Sequence, residues 1–367
     1  MVWFRNSSIR ARNGLVATGR EYEMCKSKLL KGSLDALLNC LGILIYYCGL
    51  ARPLIRLRHR APRILMYHAC EERETDFTRG LSSNTTPAHL AAQLDFLRDY
   101  YQVVPLSALV GEPLPDRAVV ITFDDGYRSV YEQAFAQLKD RNLPATCYLT
   151  TDVLEGRGII WLNELNWFLE RHEAVVRPLV SQRLGLSPNV SRAGFIQQVI
   201  GHYDREAIRD LLAELKVRTG TAPESLMESP LYLDREQIGA MSQFGFTFGN
   251  HTASHAVLPL LSDIECRDEM IRSAVALDSI PGSTRSLAYP FGLFSDSTRQ
   301  IAQDLGYTTL MEVEGSNDPL DRSHVGRVNV TSITPAALFA KMEVSAPVKF
   351  RIKRSLRAVR ASFRSRR

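Results

Sequence analysis

The feature that most constrains the fold is an alternation of short apolar runs with longer amphipathic stretches, which begins near residue 63. The apolar runs predict buried strands, and stretches such as PAHLAAQLDFLRDY, with Leu90, Leu94 and Leu97 on one face, predict helices. Strands that alternate with helices form a mostly parallel sheet, so we predict an α/β protein whose sheet is either open or closed into a barrel. The predicted strands are RILMYH (63–68), AVVITF (118–123), ATCYLT (145–150), FTFGN (246–250), RSLAYP (285–290), TTLMEV (308–313) and VGRVNV (325–330).

The alternation is interrupted between about residues 156 and 233, where two long amphipathic stretches predict extra helices inserted into the fold. We therefore expect three regions. A basic N-terminal segment (1–61) precedes a folded domain (62–345) that contains the insertion, and a basic tail (346–367) follows.

Charge is distributed unevenly along the chain. The net charge is +5, but residues 1–63 carry twelve Lys and Arg against three acidic residues, and the tail after Phe350 carries eight with no acidic residue. The body between them therefore has a charge of about −12. An acidic body argues against nucleic acid as its partner, because nucleic acid needs a basic face. Two basic ends favour contact with an anionic membrane surface.

An apolar segment near the N-terminus adds to this expectation. Residues 36–51 (ALLNCLGILIYYCGLA) contain no charge, basic residues flank them on both sides, and no cleavage signal follows. A spanning helix needs ~20 residues and a signal core ~7–15, so the segment is interpreted as an uncleaved membrane anchor or an interfacial helix. A buried helix of the fold is the alternative. The tail FRIKRSLRAVRASFRSRR predicts either an amphipathic basic helix or a disordered segment.

Two adjacent carboxylates end the second of these predicted strands. In AVVITFDDGY (118–127), a buried run leads directly into Asp124 and Asp125. Buried carboxylates are costly unless they are paired, hydrogen-bonded or bound to a metal, although a loop that begins with acidic residues is the ordinary alternative. Functional groups gather at the carboxyl ends of parallel strands, and successive residues point to opposite sides. One carboxylate can therefore face a metal while the other faces a substrate or a water.

Two later stretches also follow predicted strands. In FTFGNHTASHAVL, His251 and His255 stand four residues apart, which places both rings on one face of a helical turn. With a carboxylate, such a pair forms a metal-ligand set, although a chance pair is the alternative. LAYPFGLFS (287–295) runs into a Pro-aromatic-Gly turn, where the amide of Phe291 is a candidate oxyanion donor. Taken alone, that stretch is only a turn.

In this order, TFDDG, HTASH and YPFG resemble the motifs of the polysaccharide deacetylase family (NodB-like, carbohydrate esterase family 4), in its YPFG-motif branch. The upstream ILMYH and PAHLAAQLDFLRDYYQVVPLSAL are also typical of that branch, and the resemblance covers residues 62–345. It implies a distorted (β/α) barrel with a helical insertion. It also implies a metal-dependent hydrolase that removes N-acetyl groups from amino sugars of an exopolysaccharide, capsule or cell-wall glycan.

The resemblance further assigns roles to individual residues. Asp125, His251 and His255 would bind a divalent metal, with Zn²⁺ as the first choice. Asp124 would be the general base toward water, and the backbone N–H of Phe291 would help to hold the developing oxyanion. Three protein ligands leave an open position, which agrees with this chemistry.

The sequence departs from the family pattern in two places. Many members have Arg two residues before the Pro of the third motif, where this chain has Ala288. Arg327 is the nearest candidate to supply that guanidinium, and a surface ion pair is the alternative. The late L-x-H motif supplies a general acid, but His324 in DRSHVG lacks the Leu. His68, at the end of the first strand, is the other candidate, and we favour it because strand ends face the site. Either histidine can also be a plain solvated one.

The leading hypothesis is therefore a bacterial, inner-membrane-associated glycan deacetylase that acts on an N-acetylated glycan. One alternative is a deacylase of a lipid-linked sugar precursor at the membrane face, which the basic ends would suit. Another is a non-catalytic domain that only binds glycans. The intact pair of carboxylates and pair of histidines weighs against a pure binder, which needs no general base.

Overall fold

The computed structural model describes residues 34–57, 61–111, 113–222, 226, 230–313, 317 and 320–350. The two alternatives for the tail after Phe350 lie outside these residues and stay predictions. The strands are β1 (Arg63–Tyr67), β2 (Gln102–Val103), β3 (Ala118–Phe123), β4 (Thr146–Leu149), β5 (Thr247–Asn250), β6 (Ser283–Ala288), β7 (Thr309–Val313) and β8 (Val325–Asn329). The helices are α1 (Leu34–Tyr47), α2 (Ala51–Leu57), α3 (Pro87–Tyr100), α4 (Ala136–Asp140), α5 (Trp161–Leu184), α6 (Arg192–Gly201), α7 (Arg205–Thr219), α8 (Arg235–Ser242), α9 (Asp263–Asp278), α10 (Asp296–Asp304) and α11 (Pro335–Phe339).

The sheet is a closed parallel barrel of seven strands. Hydrogen bonds connect the strands in the order β1-β8-β7-β6-β5-β4-β3, and β1 also pairs with β3, which closes the ring. In the closing ladder, Leu65 is opposite Ile121, and the same residue is opposite Val328 on the other side of β1. The short strand β2 pairs only with the start of β3 and lies outside the ring. The predicted (β/α) barrel is confirmed, and the open sheet is excluded.

Alternate residues of β3 belong to two different cores. Val119, Ile121 and Phe123 of β3 pack in the large core beneath the surrounding helices, whereas Val120 belongs to a smaller cluster with Tyr148. This two-residue period is the one expected for a strand whose faces are both buried. The register between β5 and β6 shifts near Phe248, so the barrel is irregular at that point.

Three helices, α5, α6 and α7, lie within the predicted insertion, and α5 packs along α7. The first turns of α5 are almost entirely buried, from Trp161 to Leu169. The insertion therefore forms a wall against the barrel rather than a separate lobe.

The helix α1 docks on the barrel by one face only. Gly42 lies so close to the helix after Phe339 that an added Cβ would be 2.4 Å from Ala340 Cβ, so only glycine allows this approach. The Tyr46 ring packs against Phe96 and Phe339. Within the described ranges, no single helix is both long and apolar enough to cross a membrane. The pair α1 and α2 meets the length and composition requirement together, but it is bent by 111°.

Candidate active site

A cavity of about 230 Å³ opens at the carboxyl ends of the barrel strands. Polar side chains at or just after the ends of β1, β3, β5 and β8 line it, because parallel strands bring their following loops to one edge. The predicted site residues that line this cavity are His68, Asp124, Asp125, His251, His255 and Phe291.

Asp125, His251 and His255 form a compact buried group. The Oδ1 atom of Asp125 lies 3.3 Å from Nε2 of His251 and 3.2 Å from Nε2 of His255. Neither contact gives that oxygen a partner with hydrogen-bond geometry among the described residues. One ligand atom from each residue lies within 4.8 Å of the other two. Three inward-facing ligand atoms without hydrogen bonds between them fit a shared metal ion, as buried polar atoms otherwise find partners.

Neighbouring groups hold the His251 ring by a hydrogen bond and His255 by its backbone and by ring packing. Nδ1 of His251 is 2.8 Å from the carbonyl oxygen of Ala288, and if this nitrogen donates, Nε2 keeps its lone pair toward Asp125. The backbone N–H of His255 donates to Thr252 Oγ1, and the indole N–H of Trp161 donates to the carbonyl of His255. The ring of Phe291 stands edge-on to the His255 ring with centroids 4.6 Å apart.

A fully buried carboxylate supports the loop between the two histidines. Glu269 of α9 accepts hydrogen bonds from the backbone N–H and the hydroxyl of Ser254, at 2.9 and 2.8 Å. Arg205 of α7 donates to the same carboxylate at 2.7 Å. The loop that carries His255 is therefore tied both to α9 and to the inserted helices.

The second carboxylate, Asp124, points into the barrel toward a different partner. Arg327 of β8 donates to both of its oxygens, each at 2.7 Å, and the arginine is only 1% exposed. Burial alone would raise the pKa of Asp124, but the guanidinium and then His251 outweigh it and hold that pKa below its ordinary value. A surface ion pair for Arg327 is therefore excluded. The two adjacent carboxylates face different partners, as expected from the alternation of strand residues.

The pKa values of the three buried residues shift in different directions. Burial opposes ionisation of Asp125, but the neighbouring His255 and His251 hold its pKa well below the ordinary range. Burial is also the largest influence on both imidazoles. It is outweighed by the two carboxylates at His251, whose pKa is raised, and it prevails at His255, whose pKa is lowered.

Backbone strain is concentrated at this end of the barrel. Five residues other than glycine adopt positive φ there: Ser82 (56°), Asp125 (71°), Thr252 (66°), His255 (59°) and Phe291 (59°). Such conformations cost of order 1–3 kcal/mol each and persist where surrounding structure enforces them. Gly292, which follows Phe291, has φ 66°, and an added Cβ would lie 2.5 Å from the Val313 side chain. The Pro-aromatic-Gly turn is thus required by packing as well as by φ.

The two candidate general acids are placed differently. His68 follows β1 and lines the cavity, and its buried Nδ1 has no hydrogen-bond partner among the described residues. His324 does not line the cavity. Its two ring nitrogens contact Glu312 and Arg299, so the ring is held outside the site. The structure corrects the assignment of His324 as a candidate acid, because both nitrogens are occupied elsewhere.

The sequence interpretation missed several residues of the cavity wall. Asn329, at the end of β8, has a buried Oδ1 atom without a hydrogen-bond partner in the described chain, and Asn163 comes from the insertion. For Asn163, the sequence signal is the pair of asparagines in WLNELNW, within a stretch that predicts only an extra helix. For Asn329, the signal was its place at a strand end.

Comparisons with known proteins agree with the geometry. A family model described as polysaccharide deacetylase matches residues 111–183 and 195–310, more than half of the chain. The poly-β-1,6-N-acetyl-D-glucosamine N-deacetylase of Escherichia coli (strain K12) is 37% identical over 87 residues, which are 22% of this chain and only 12% of that protein.

Solved structures share the fold. The deacetylase PplD of Streptococcus pyogenes, solved in complex with acetate, superposes with a TM-score of 0.53 at 22% identity, covering 78% of this chain and 99% of that one. IcaB from Ammonifex degensii superposes with a TM-score of 0.50 at 21% identity, covering 77% and 97% of the two chains. At such identities the likeness establishes the barrel architecture alone.

Proposed function

Because the chain belongs to the polysaccharide deacetylase family, we propose that it hydrolyses the N-acetyl amide of amino sugars in an exopolysaccharide, capsule or cell-wall glycan. The first substrate to test is β-1,6-linked poly-N-acetylglucosamine, on which the matched Escherichia coli protein is named as acting. The observation that carries the proposal is the pairing of two differently partnered carboxylates with two histidines in one cavity.

Asp125, His251 and His255 would hold a divalent metal, and the Asp and two His donor set favours Zn²⁺. When bound, such an ion lowers the pKa of a coordinated water and polarises the amide carbonyl. The tautomer assigned to His251 by the Ala288 carbonyl leaves Nε2 free to act as a ligand.

Asp124 would act as the general base that takes a proton from the attacking water. A base must be ionised at the working pH, and Arg327 provides for this by holding the pKa of Asp124 low. The bidentate contact also fixes the carboxylate in place, because both oxygens are held by one rigid guanidinium. Arg327 is thus a positioning residue for the base.

His68 would donate a proton to the departing amine nitrogen, which leaves the sugar with a free amine and releases acetate. It lies on the cavity wall with a buried ring nitrogen available. The backbone N–H of Phe291 is our candidate donor to the developing oxyanion. Asn329, with its unpartnered side-chain oxygen, is the candidate for binding a sugar hydroxyl.

The test is metal analysis of the purified full-length protein, followed by acetate release from β-1,6-linked and β-1,4-linked N-acetylglucosamine oligosaccharides. Stoichiometric zinc together with acetate release supports the proposal, and the preferred linkage identifies the glycan. Glycan binding without acetate release, in protein that holds metal, would favour the non-catalytic alternative. Activity only on a lipid-linked sugar would favour the precursor deacylase.

A further inference from the structure

The exposed face of α1 is an apolar surface that nothing in the described chain covers. Leu37, Leu41, Leu44 and Tyr47 are 65%, 47%, 60% and 74% exposed, at spacings of four, three and three residues. The other fully exposed positions between Ala36 and Cys48 carry no charge. This stripe is opposite the face that docks through Gly42 and Tyr46.

The described chain begins and ends at neighbouring positions. The Asp35 side chain, next to the first residue of α1, pairs with the Lys349 ammonium at 2.9 Å. Residues 1–33 carry seven Lys and Arg against two acidic residues, and residues 351–367 carry eight against none. Both segments therefore attach at one place, beside the apolar stripe.

This place is at the amino end of the barrel, opposite the cavity. Arg63, the first residue of β1, forms a bidentate pair with Glu343, whereas His68, which follows the last residue of β1, lines the cavity. The described chain stays helical from Glu343 to Phe350, a length of about 10 Å at 1.5 Å per residue. It therefore ends further from the cavity than Glu343 does. The first and last described positions, Leu34 and Phe350, thus lie at the end of β1 opposite the cavity.

We propose that the exposed face of α1 is a docking surface for an anionic lipid bilayer, with the cavity turned away from it. The basic composition of residues 1–33 and 351–367, which join the described chain beside this face, favours an anionic partner. Apolar burial and attraction to acidic headgroups act together at such surfaces. Nucleic acid would match the basic segments but has no use for a leucine stripe. A second copy of the chain would match the stripe but would bring like charges together. Resting on the proposed function, this orientation presents the site to a polymer on the solvent side rather than to a headgroup in the same bilayer.

The first test is sedimentation of full-length protein with vesicles of phosphatidylcholine, with and without phosphatidylglycerol. The variant L37S/L41S/L44S should lose roughly tenfold or more in affinity for the anionic vesicles. The matched control V217S/I264S/V275S, which changes residues 82%, 82% and 66% exposed on other helices, should bind as the parent does. Ending the chain at Phe350 should weaken binding and reduce its dependence on salt.

Equal binding to neutral and anionic vesicles, or equal binding by the triple variant and the parent, would overturn the proposal. So would a dimer in solution that the triple variant dissociates, since the stripe would then belong to a second copy. RNA binding that competes with vesicles and survives the triple substitution would reassign the basic segments.

The second test is the orientation, and it needs no enzymatic activity. Cys40 is exposed on α1, whereas Cys70, Cys147 and Cys266 are buried. An environment-sensitive dye on Cys40, with Cys25 and Cys48 changed to Ser, should report an apolar environment on anionic vesicles. The same dye on L293C beside the cavity, with all three changed to Ser, should not change. A response at the cavity position equal to that at Cys40 would overturn the orientation, whether or not the protein proves to be a deacetylase.

Discussion

The two ends of the barrel differ in which groups they bury: one buries charged groups, and the other exposes apolar ones. At the carboxyl end, Asp124, Asp125 and two histidines are buried, and several backbone conformations are strained. At the amino end, the charged pair of Arg63 and Glu343 is hydrogen-bonded in ordinary geometry, while leucines of α1 are exposed to solvent. Buried charge at one end and exposed apolar surface at the other both cost free energy of folding.

Proteins retain destabilising features where those features serve a function, and the function differs between the two ends of the barrel. Buried ionisable groups acquire shifted pKa values and fixed geometry, which suit chemistry. An exposed stripe of leucines has no ionisable group, but it offers apolar area that can be buried against a partner. The contrast separates a reacting end from an attaching end, so changes at one end should leave the other end's property intact.

The largest expected effect is the loss of metal on removing one ligand of the trio. D125A or H255A should reduce bound zinc to background and abolish acetate release, because two remaining ligands hold zinc poorly. The circular dichroism spectrum should stay that of the parent. Dialysis followed by metal analysis measures the first effect, and H202A, which removes an exposed histidine of the insertion, is the matched control. Stoichiometric zinc in either variant would remove the basis for the metal assignment.

The next effect, at the same end, separates the two adjacent carboxylates. D124N preserves shape but cannot accept a proton, so turnover should fall roughly 10²–10⁴-fold while zinc is retained. Steady-state kinetics and metal analysis on the same preparation give both readings. If D124N sheds the metal while D125N remains active, the roles of the two residues are reversed.

The carboxyl end was more predictable from the sequence than the amino end, for a physical reason. Asp125, His251 and His255 stand in short motifs directly after strands, and a closed parallel barrel brings all strand ends together. The sequence keeps His324 as the second candidate for the acid, because its loop position says nothing about Glu312, which holds its ring elsewhere. Several shorter elements, among them β2, α6, α8 and α11, have no counterpart in the prediction, because short elements show no clear period.

The amino end depended on contacts that no local pattern shows. The charge-free run 36–51 is compatible with a buried, interfacial or spanning helix, and only packing against Ala340 and Phe339 shows which face is covered. The pairing of Asp35 with Lys349 joins positions that are far apart in sequence, so the convergence of the basic segments was not predictable. Arg327 was partly predictable, because its residue type suggested a partner for Asp124, but the sequence did not show that it is buried.

A smaller effect comes from R327Q, which tests how the carboxyl end keeps its base ionised. Without the guanidinium, less opposes the effect of burial, so the pKa of Asp124 should be higher than in the parent. The acidic limb of the kcat/KM profile should therefore move to higher pH. The free energy of unfolding should fall by about 3–5 kcal/mol near neutral pH, where the carboxylate is charged and unpaired.

The pH dependence of the stability difference between the parent and R327Q tests the same role of Arg327 independently. In the parent, the lowered pKa of Asp124 contributes stability above the unfolded pKa that is lost as pH falls through the folded one. In R327Q the higher pKa reduces this contribution, so the stability deficit relative to the parent should shrink as the pH is lowered and Asp124 becomes protonated in both proteins. Urea titrations at several pH values measure it. A deficit that grows toward acid would show that Arg327 does not stabilise the carboxylate.

The smallest effects belong to the amino end and compare the two faces of α1. G42A places a Cβ within 2.4 Å of Ala340, so α1 must shift, and overpacking of this kind typically costs about 1–3 kcal/mol of unfolding free energy. L44S changes a side chain that is 60% exposed and should alter stability by no more than about 0.5 kcal/mol. Because the cavity lies at the other end of β1, both variants should keep the parent's kcat/KM on soluble oligosaccharides, and only L44S should weaken vesicle binding without loss of stability. Thermal unfolding, kinetics and sedimentation on the same two proteins give the comparison. A loss of kcat/KM in L44S would show that the two ends are coupled, and equal destabilisation by both variants would mean that the exposed face of α1 packs against part of its own chain.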